Sequence, residues 1–227
     1  MTRRKVFLCV AGNIGSGKSS LTRLLSEHFH WKAFYEAVDN NPYLSDFYAD
    51  MKRWAFHLQV FLLSHRFKSH KEIVEMNESV IQDRSIYEDV EIFARNLYEM
   101  GNMDRRDYES YKELFSIMVD YLKPPDILIY LRANVDTLLR QIKLRGRPFE
   151  QSISREYLER LNGSYEAWIS RYNRSRIMIV ESDEIDFVNN KDHLLDIIKR
   201  VEIIVKSIDP NSDLTEDYGT RRSTYTK

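Results

Sequence analysis

A single cysteine stands among the 227 residues of this sequence, so no disulfide can form within the chain. Cys9 lies in the apolar run from Val6 to Val10, and we interpret it as a buried thiol on a strand. The chain has no run of about 18 consecutive apolar residues, the length that a membrane helix needs. The basic residues at its start lead into a glycine-rich segment instead of a signal-peptide cleavage site. We therefore expect a cytoplasmic protein with neither a membrane span nor a secretory signal.

Net charge is also nearly absent. A formal net charge of -1 and a pI of about 6.6 provide no positive field that would concentrate DNA, RNA or an anionic membrane. We therefore expect neither a nucleic acid polymer nor a membrane as a partner. The chain does have 43% hydrophobic residues, enough for a substantial core at this length. We expect one domain over residues 1–208 and a flexible tail over 209–227, where apolar residues are few.

Short apolar runs alternate along the chain with longer stretches of helical periodicity. Because the apolar runs are hydrophobic on both faces, they indicate strands of a parallel sheet covered by helices on both sides. The pattern predicts an α/β three-layer sandwich around a five-stranded parallel sheet, with strands at 5–10, 33–36, 79–83, 126–132 and 177–181. The predicted helices cover 19–30, 53–75, 86–98, 105–122, 135–144, 155–171 and 191–207.

The segment GNIGSGKS at residues 12–19 matches the phosphate-loop (P-loop) pattern, between a predicted strand and a predicted helix. Glycines at these positions let backbone N–H groups surround phosphate oxygens at the start of the helix. Lys18 is predicted to reach the β- and γ-phosphates of ATP, and the Ser19 hydroxyl to bind Mg²⁺. An ordinary glycine turn is the competing interpretation. The ATP-binding residues predicted here are Gly12, Asn13, Ile14, Gly15, Ser16, Gly17, Lys18, Ser19 and Ser20.

Three further polar residues follow predicted strands and are expected at the carboxyl edge of the sheet, where such folds bind ligands. Asp83 is a candidate Mg²⁺ ligand, and Arg84 can stabilise the transferred phosphoryl group or the attacking oxygen. Glu36 can act as the general base for a hydroxyl nucleophile. A structural ion pair and a solvated loop residue are the alternatives. The chain lacks the Asp-x-x-Gly and Asn-Lys-x-Asp sequences typical of GTPases.

Arg145 and Arg147 flank a glycine after the helix that follows the fourth predicted strand. This position suits a lid, expected over about 141–152, whose arginines neutralise charge on the γ-phosphate. A basic helix end that complements the helix dipole is the alternative.

One face of the predicted helix 53–75 combines an amide, an apolar side chain and a guanidinium, since Gln59, Leu62 and Arg66 recur at i, i+3 and i+7. Asp89 lies six residues after Asp83, the last residue of the third predicted strand, and is expected to face Arg66 across a pocket. The aromatic residues predicted to hold a flat base there are Tyr48, Trp54 and Phe93. An aromatic core with one satisfied glutamine and a surface ion pair is the alternative.

Taken together, these residues resemble the deoxynucleoside kinase family, in particular the bacterial deoxyadenosine/deoxycytidine kinases. The resemblance extends to about residue 209 and rests on five segments: the P-loop, the Glu36 segment ending in VDNNPYL, RWAFHLQ, DRSIY and Arg145-Gly-Arg147. It implies a P-loop nucleoside kinase with a lid, using ATP with Mg²⁺. It also implies a homodimer formed through helices beside the sheet.

The resemblance assigns roles residue by residue. It implies Glu36 as general base, Arg84 beside the 5′-oxygen, and Arg145 with Arg147 on the donor phosphates. It implies that Tyr48 and Glu150 bind the sugar 3′-hydroxyl. It further implies that the base lies between Trp54 and Phe93 and is recognised by Gln59, Arg66 and Asp89. The loop of Asp186 and Phe187 would contact the donor's base. Where the family often carries a further lid arginine, this chain has Gln141 beside Arg140.

The resemblance also implies that the combination of Arg66 and Asp89 favours a base with an exocyclic amine, since a carboxylate accepts from an amine and repels a carbonyl. The expected substrates are therefore deoxyadenosine and deoxycytidine; deoxyguanosine and ribonucleosides stay open. Two other classes compete with this interpretation. A nucleoside monophosphate kinase shares the P-loop and sheet but needs basic groups for the acceptor phosphate, where this chain offers Glu36 and Gln59. A catalytically idle, nucleotide-driven binding protein would not need the full set of Lys18, Glu36, Asp83 and Arg84.

Overall fold

The computed structural model describes residues 4–36 and 41–209 of the chain. Its centre is a five-stranded sheet in the order β2-β3-β1-β4-β5, and every pair of neighbouring strands is parallel. This confirms the five-stranded parallel sheet predicted from the sequence. The strands are β1 Phe7–Gly12, β2 Lys32–Phe34, β3 Val80–Asp83, β4 Ile127–Arg132 and β5 Arg176–Glu181.

Helices cover both faces of the sheet, as the three-layer prediction requires. Along β1, Leu8 and Val10 point into a core formed with α1 and α8, whereas Phe7, Cys9 and Ala11 point into a larger core on the other face. The helices are α1 Lys18–Phe29, α2 Leu44–Ala49, α3 Met51–Glu75, α4 Arg95–Glu99, α5 Arg105–Val119, α6 Val135–Arg145, α7 Arg155–Ile169 and α8 Lys191–Ile208.

The N-terminal ends of the helices differ in a way that matters for ligand binding. Asp104, Asn134 and Ser154 each accept a hydrogen bond from a first-turn backbone N–H of α5, α6 and α7, respectively. Helix α1 instead begins after Gly17, which has a left-handed backbone (φ 94°) and no side chain to cap the helix. Its first N–H groups therefore remain available to an anion such as phosphate.

The structure differs most from the sequence predictions at three places. Strand β2 ends at Phe34, so Glu36 lies two residues beyond the strand instead of ending it. The single helix predicted over 86–98 is a π-helical turn, Asp89–Ala94, followed by the short α4. Such turns occur mostly at functional sites, where they change which side chains face a pocket. Helix α2 was missed because a six-residue helix is too short to show helical periodicity.

Cys9 is fully buried beside Gln82, which confirms the prediction of a strand thiol. Among the described residues, no helix is both long enough and apolar enough to cross a membrane. The predicted flexible tail, apart from Asp209, lies outside the described residues.

Candidate active site

A cavity opens at the carboxyl edge of the sheet, beside β1 and β3; its open space, including solvent at the mouth, is about 790 Å³. Most of the predicted site residues line it: Lys18, Ser19, Glu36, Tyr48, Gln59, Leu62, Arg66, Asp83, Arg84, Phe93, Arg145, Arg147 and Glu150. Two P-loop residues, Ile14 and Gly15, line it as well.

The glycine positions of the P-loop have no room for a side chain. Gly15 has φ 83°, and a Cβ atom there would lie 2.8 Å from the carbonyl oxygen of Leu138. At Gly17 a Cβ atom would lie 3.0 Å from the ring of Phe187. Phe187 is thus buried against the loop, while Asp186 caps an exposed turn by accepting from the backbone N–H of residues 188 and 189. Neither residue lines the cavity.

The rest of the loop is held in place by Asn13, whose side-chain amide donates to Leu158 O at 3.0 Å. Lys18 is buried, and its Nζ donates to Asn13 O at 2.7 Å. Burial and the nearby positive charge of Arg84 lower the pKa of Lys18 to about 7, against the opposing effect of the carboxylates around it. A bound polyphosphate would supply the negative charge that this ammonium group requires.

Ser19 and Asp83 fit a magnesium ion. Ser19 Oγ donates to Asp83 Oδ2 at 2.5 Å, and Asp83 Oδ1 is buried without a hydrogen-bond donor within residues 4–36 and 41–209. Burial and the charge of Glu36 raise the pKa of Asp83, against the lowering effect of Lys18. No cluster of three or more metal-binding side chains occurs in the described part of the chain. This is typical of Mg²⁺ sites in which phosphates and water provide the other ligands.

Glu36 is held between two arginines. Its carboxylate contacts Arg66, and it accepts from Arg84 Nε at 3.1 Å. Burial alone would raise the pKa of Glu36, but the positive charges of Arg84, Arg66 and Lys18 outweigh it and lower the pKa to about 2. The group is therefore an ionised carboxylate near neutral pH, the form that a general base requires.

Arg84 has a left-handed backbone with φ 71°, which costs about 1–3 kcal/mol for a residue other than glycine. Its backbone N–H donates to Val10 O at 2.9 Å. The guanidinium lies between Glu36 and the Tyr165 hydroxyl, 4.5 Å from the centre of the Phe93 ring. This strained conformation aims the side chain into the cavity, and such strain is found mainly at functional positions.

Gln59 and Arg66 line the cavity, whereas Asp89, which was predicted to read the base with them, does not. Asp89 is fully buried and forms an ion pair with Arg66, as the sequence predicted. Gln59 is buried as well, and its Oε1 finds no hydrogen-bond donor in the part of the chain that the structure describes. An unpaired buried amide oxygen is costly and indicates a place for a ligand donor. The contact between Arg66 and Glu36 was not predicted.

The lid arginines meet the predicted sugar-binding carboxylate. Arg145 is the last residue of α6, and its Nη2 lies 2.6 Å from Glu150 Oε2; Arg147 Nη1 lies 3.4 Å from Glu150 Oε1. Phe149 lines the cavity and stacks on Tyr48 with ring centres 6.0 Å apart and an interplanar angle of 17°. Sequence analysis missed Phe149, although an aromatic residue inside a predicted lid is itself a signal.

Several residues predicted to contact a ligand do not line the cavity, among them Trp54 and Asp89. Trp54 lies outside the cavity and packs against Tyr43 and His57. The reason is helical geometry, because five residues along α3 rotate a side chain by about 140° from the direction of Gln59. Arg140 is exposed at the surface, where it contacts Thr137, and it does not line the cavity. The cavity residues that sequence analysis missed are Asn41, Leu44, Phe47, Leu58, Phe149 and Tyr157.

Comparison with known proteins identifies the family. Residues 8–206 match the family model described as deoxynucleoside kinase. The chain belongs to the deoxynucleoside kinase family. This kinase is an ATP-dependent phosphotransferase that binds deoxynucleosides and their nucleotides, so a monophosphate kinase and a catalytically idle binding protein are excluded.

The kinase resembles relatives of differing substrate preference. It is 40% identical over 200 residues to a deoxyadenosine/deoxycytidine kinase of Bacillus subtilis, covering 87% of this chain and 92% of the relative. It is 37% identical over 223 residues to a deoxyguanosine kinase of Lactobacillus acidophilus, covering 91% and 97%. The structure of the deoxyadenosine kinase from M. mycoides with dCMP and dCDP superimposes with a TM-score of 0.79 at 32% identity, covering 87% of this chain and all of the other.

Proposed function

We propose that the kinase transfers the γ-phosphoryl group of ATP to the 5′-hydroxyl of deoxyadenosine, deoxycytidine or both, giving the 5′-monophosphate in nucleotide salvage in the cytoplasm. Deoxyguanosine is the competing substrate, since relatives named for each activity are 36–40% identical to this chain. The observation that carries the proposal is the buried, unpaired Oε1 of Gln59 in the cavity wall.

The chemistry of the inner cavity favours a base with an exocyclic amine. Gln59 Oε1 is an acceptor in need of a donor, and the amino group of adenine or cytosine is such a donor. Asp89 does not line the cavity and pairs with Arg66, so its charge can act on the base only through the orientation and partial neutralisation of that guanidinium. Thymine presents a carbonyl where cytosine has its amine, and guanine presents a carbonyl where adenine has its amine. Phe93 and Leu62 both line the cavity, and Phe93 offers the aromatic surface on which a base can stack.

The catalytic roles follow from where charge develops during phosphoryl transfer. Glu36, ionised in the site, takes the proton of the attacking 5′-hydroxyl. Arg84, which already contacts Glu36, stabilises the attacking oxygen as it gains charge. Lys18 binds the β- and γ-phosphates, and Arg145 with Arg147 close over the transferred group from the lid. Glu36 must loosen its contact with Arg66 before it can accept a proton.

Two further contacts complete the proposed complex. Ser19 and Asp83 would hold Mg²⁺, which neutralises phosphate charge and fixes the geometry of the triphosphate when bound. Tyr48 and Glu150 bind the sugar 3′-hydroxyl, with Glu150 oriented by the two lid arginines. The same pairing makes the sugar contact sensitive to closure of the lid, because Arg145 must serve both Glu150 and the phosphates.

The test is phosphate transfer from ATP with Mg²⁺ to each of the four deoxynucleosides, compared by kcat/KM. Deoxyadenosine or deoxycytidine as the best substrate supports the proposal. Deoxyguanosine as the best substrate would overturn the proposed base preference, and thymidine would overturn the role of Gln59 as well. The variant Gln59→Leu isolates that role, since it should lower kcat/KM for the preferred nucleoside by about 10-fold or more while leaving KM for ATP unchanged. The matched control on the same helix is Ser64→Ala, an exposed position.

The kinase is also proposed to form a homodimer through α5. Leu114, Ile117 and Tyr121 are exposed along one side of this helix and its end, beside α3, which contributes the partly exposed Phe67. An apolar stripe of this kind on a helix is typical of a protein interface. Ile117→Glu should convert a dimer into a monomer in light scattering coupled to gel filtration. A wild-type monomer at micromolar concentration would refute this assignment without affecting the proposed reaction.

A further inference from the structure

Glu88 is a fully buried glutamate outside the set of residues to which the proposed reaction gives a role. Its Oε2 accepts from the backbone N–H of Ser85 at 2.7 Å. Its Oε1 accepts from the backbone N–H of Gly12 at 3.3 Å and from the Tyr165 hydroxyl at 2.7 Å. The two backbone N–H groups donate to different oxygens, so they are both satisfied only by a side chain that accepts hydrogen bonds at both of its terminal positions.

This carboxylate joins the ends of the two central strands. Gly12 is the last residue of β1 and the first of the P-loop, whereas Ser85 follows the Asp83 and Arg84 pair at the end of β3. The two strands are neighbours in the sheet, with Val10 opposite Asp83. Glu88 therefore bridges the phosphate-binding loop and the segment that carries the metal-binding and phosphoryl-stabilising side chains.

Tyr165 extends the bridge to the guanidinium of Arg84. Its hydroxyl oxygen accepts from Arg84 Nη1 at 3.1 Å, and its single proton is directed at Gly12 O, 2.8 Å away, or at Glu88 Oε1. Arg84 Nη1 also lies 3.7 Å from Glu88 Oε1. The guanidinium is thus held from behind by Glu88 and Tyr165, and from the cavity side by Glu36.

The backbone of Arg84 needs such support. It has φ 71°, a conformation that persists only where the surroundings fix it. Glu88 accepts from the N–H of the next residue and thereby fixes the turn that follows Arg84. If this acceptor is lost, both the turn and the direction of the guanidinium are free to change.

We propose that Glu88, with Tyr165, is a positioning residue for the phosphoryl-transfer reaction. It orients the Arg84 guanidinium toward the reacting oxygens and fixes that orientation relative to the P-loop. The inference rests on the proposed role of Arg84. It concerns turnover and not substrate binding, because neither Glu88 nor Tyr165 lines the cavity.

The experiment compares Glu88→Gln with Glu91→Gln in the full-length kinase. Glutamine keeps the shape of Glu88 but turns one acceptor into an NH₂ donor, which must oppose the backbone N–H of either Gly12 or Ser85. Glu91 lies in the same π-helical turn, is partly exposed and pairs with Arg171, so its variant is the control. We expect Glu88→Gln to lower kcat about 10-fold or more, with KM for ATP and for the deoxynucleoside within about 3-fold of wild type. Glu91→Gln should match wild type.

A double-mutant cycle with Arg84→Lys separates positioning from general destabilisation. Lysine keeps the charge but lacks the guanidinium that Tyr165 and Glu88 hold. If Glu88 acts through Arg84, Glu88→Gln should cost at least about 3-fold less in the Arg84→Lys background than in wild type. An equal cost in both backgrounds, or a Glu88→Gln kcat within about 3-fold of wild type, would overturn the inference. A fully active Arg84→Lys would instead refute the proposed role of Arg84.

Tyr165→Phe is the test to use if Glu88→Gln does not fold, as judged by circular dichroism and by the melting temperature of the variant. This variant removes only the hydroxyl between Arg84, Gly12 and Glu88 and keeps the buried ring. A loss in kcat of about 3-fold or more that shrinks in the Arg84→Lys background supports the inference. An unchanged kcat overturns it.

Discussion

Glu36→Gln is the perturbation for which the structure gives the most quantitative expectation. The substitution keeps the size of the side chain and removes the charge that Arg66 and Arg84 share. If Glu36 is the general base, kcat should fall by about 10²- to 10⁴-fold, the range attributed to such groups. ATP binding should stay nearly unchanged, since Lys18 and the P-loop backbone are left intact.

The same charge makes a measurable contribution to folding stability. The pKa of Glu36 is about 2 in the folded protein against 4.5 for a free glutamate, because the neighbouring cations outweigh burial. A pKa that is lowered on folding contributes stability that is complete above the unfolded-state value and is lost as the pH falls toward the folded-state value. The window therefore lies between pH 4.5 and about 2, and linkage puts the full contribution at about 3 kcal/mol.

The assay is denaturant unfolding of wild type, Glu36→Gln and the surface control Glu27→Gln at two pH values. Between about pH 6 and pH 3, wild type should lose about 2 kcal/mol more free energy of unfolding than Glu36→Gln, since both share every other acid-sensitive group. Glu27→Gln should follow wild type. Equal losses in wild type and Glu36→Gln would show that the arginines do not hold this carboxylate ionised. An unchanged kcat would separately remove the role as base.

Three other substitutions test the described site. Gly15→Ala places a Cβ 2.8 Å from Leu138 O at φ 83°, so it should raise the Kd for ATP about 10-fold or more in a nucleotide titration; an unchanged Kd would refute the tight P-loop fit. Phe149→Ala removes the ring stacked on Tyr48 and should raise KM for the deoxynucleoside about 5-fold, with a smaller effect on ATP, in steady-state kinetics. Trp54→Phe should leave KM for the deoxynucleoside within about 2-fold of the wild-type value, because Trp54 lies outside the cavity. A larger rise would show that Trp54 does contact the base.

Much of the architecture could be predicted because it depends on local sequence. The strands are apolar on both faces, so the parallel sheet and its helical layers follow from the pattern of burial. The P-loop could be located because its glycines are required by backbone conformation, as the positive φ values of Gly12, Gly15 and Gly17 show. The pairing of Arg66 with Asp89 could also be anticipated, because one lies on the helix α3 and the other on the segment that follows β3 toward the same cavity.

The features that were missed depend on contacts between distant segments. The contact of Arg66 with Glu36 joins residues 30 positions apart and is set by the path of the chain after β2, which short-range periodicity does not encode. The π-helical turn needs tertiary packing to stabilise it, since no local pattern distinguishes it from an α-helix. Trp54 was assigned to the base as one of several nearby aromatic residues and again by resemblance, whereas the rotation of α3 directs its side chain toward Tyr43 and His57.

Arg66 limits how the substrate range of this site can be changed. One guanidinium contacts both Asp89, at the end where the base is expected, and Glu36, at the end where the hydroxyl is expected. Selection for a new base that replaces Arg66 would also remove one of the cations that keep Glu36 ionised. Directed evolution toward another nucleoside should therefore accumulate compensating basic substitutions around Glu36 before turnover recovers.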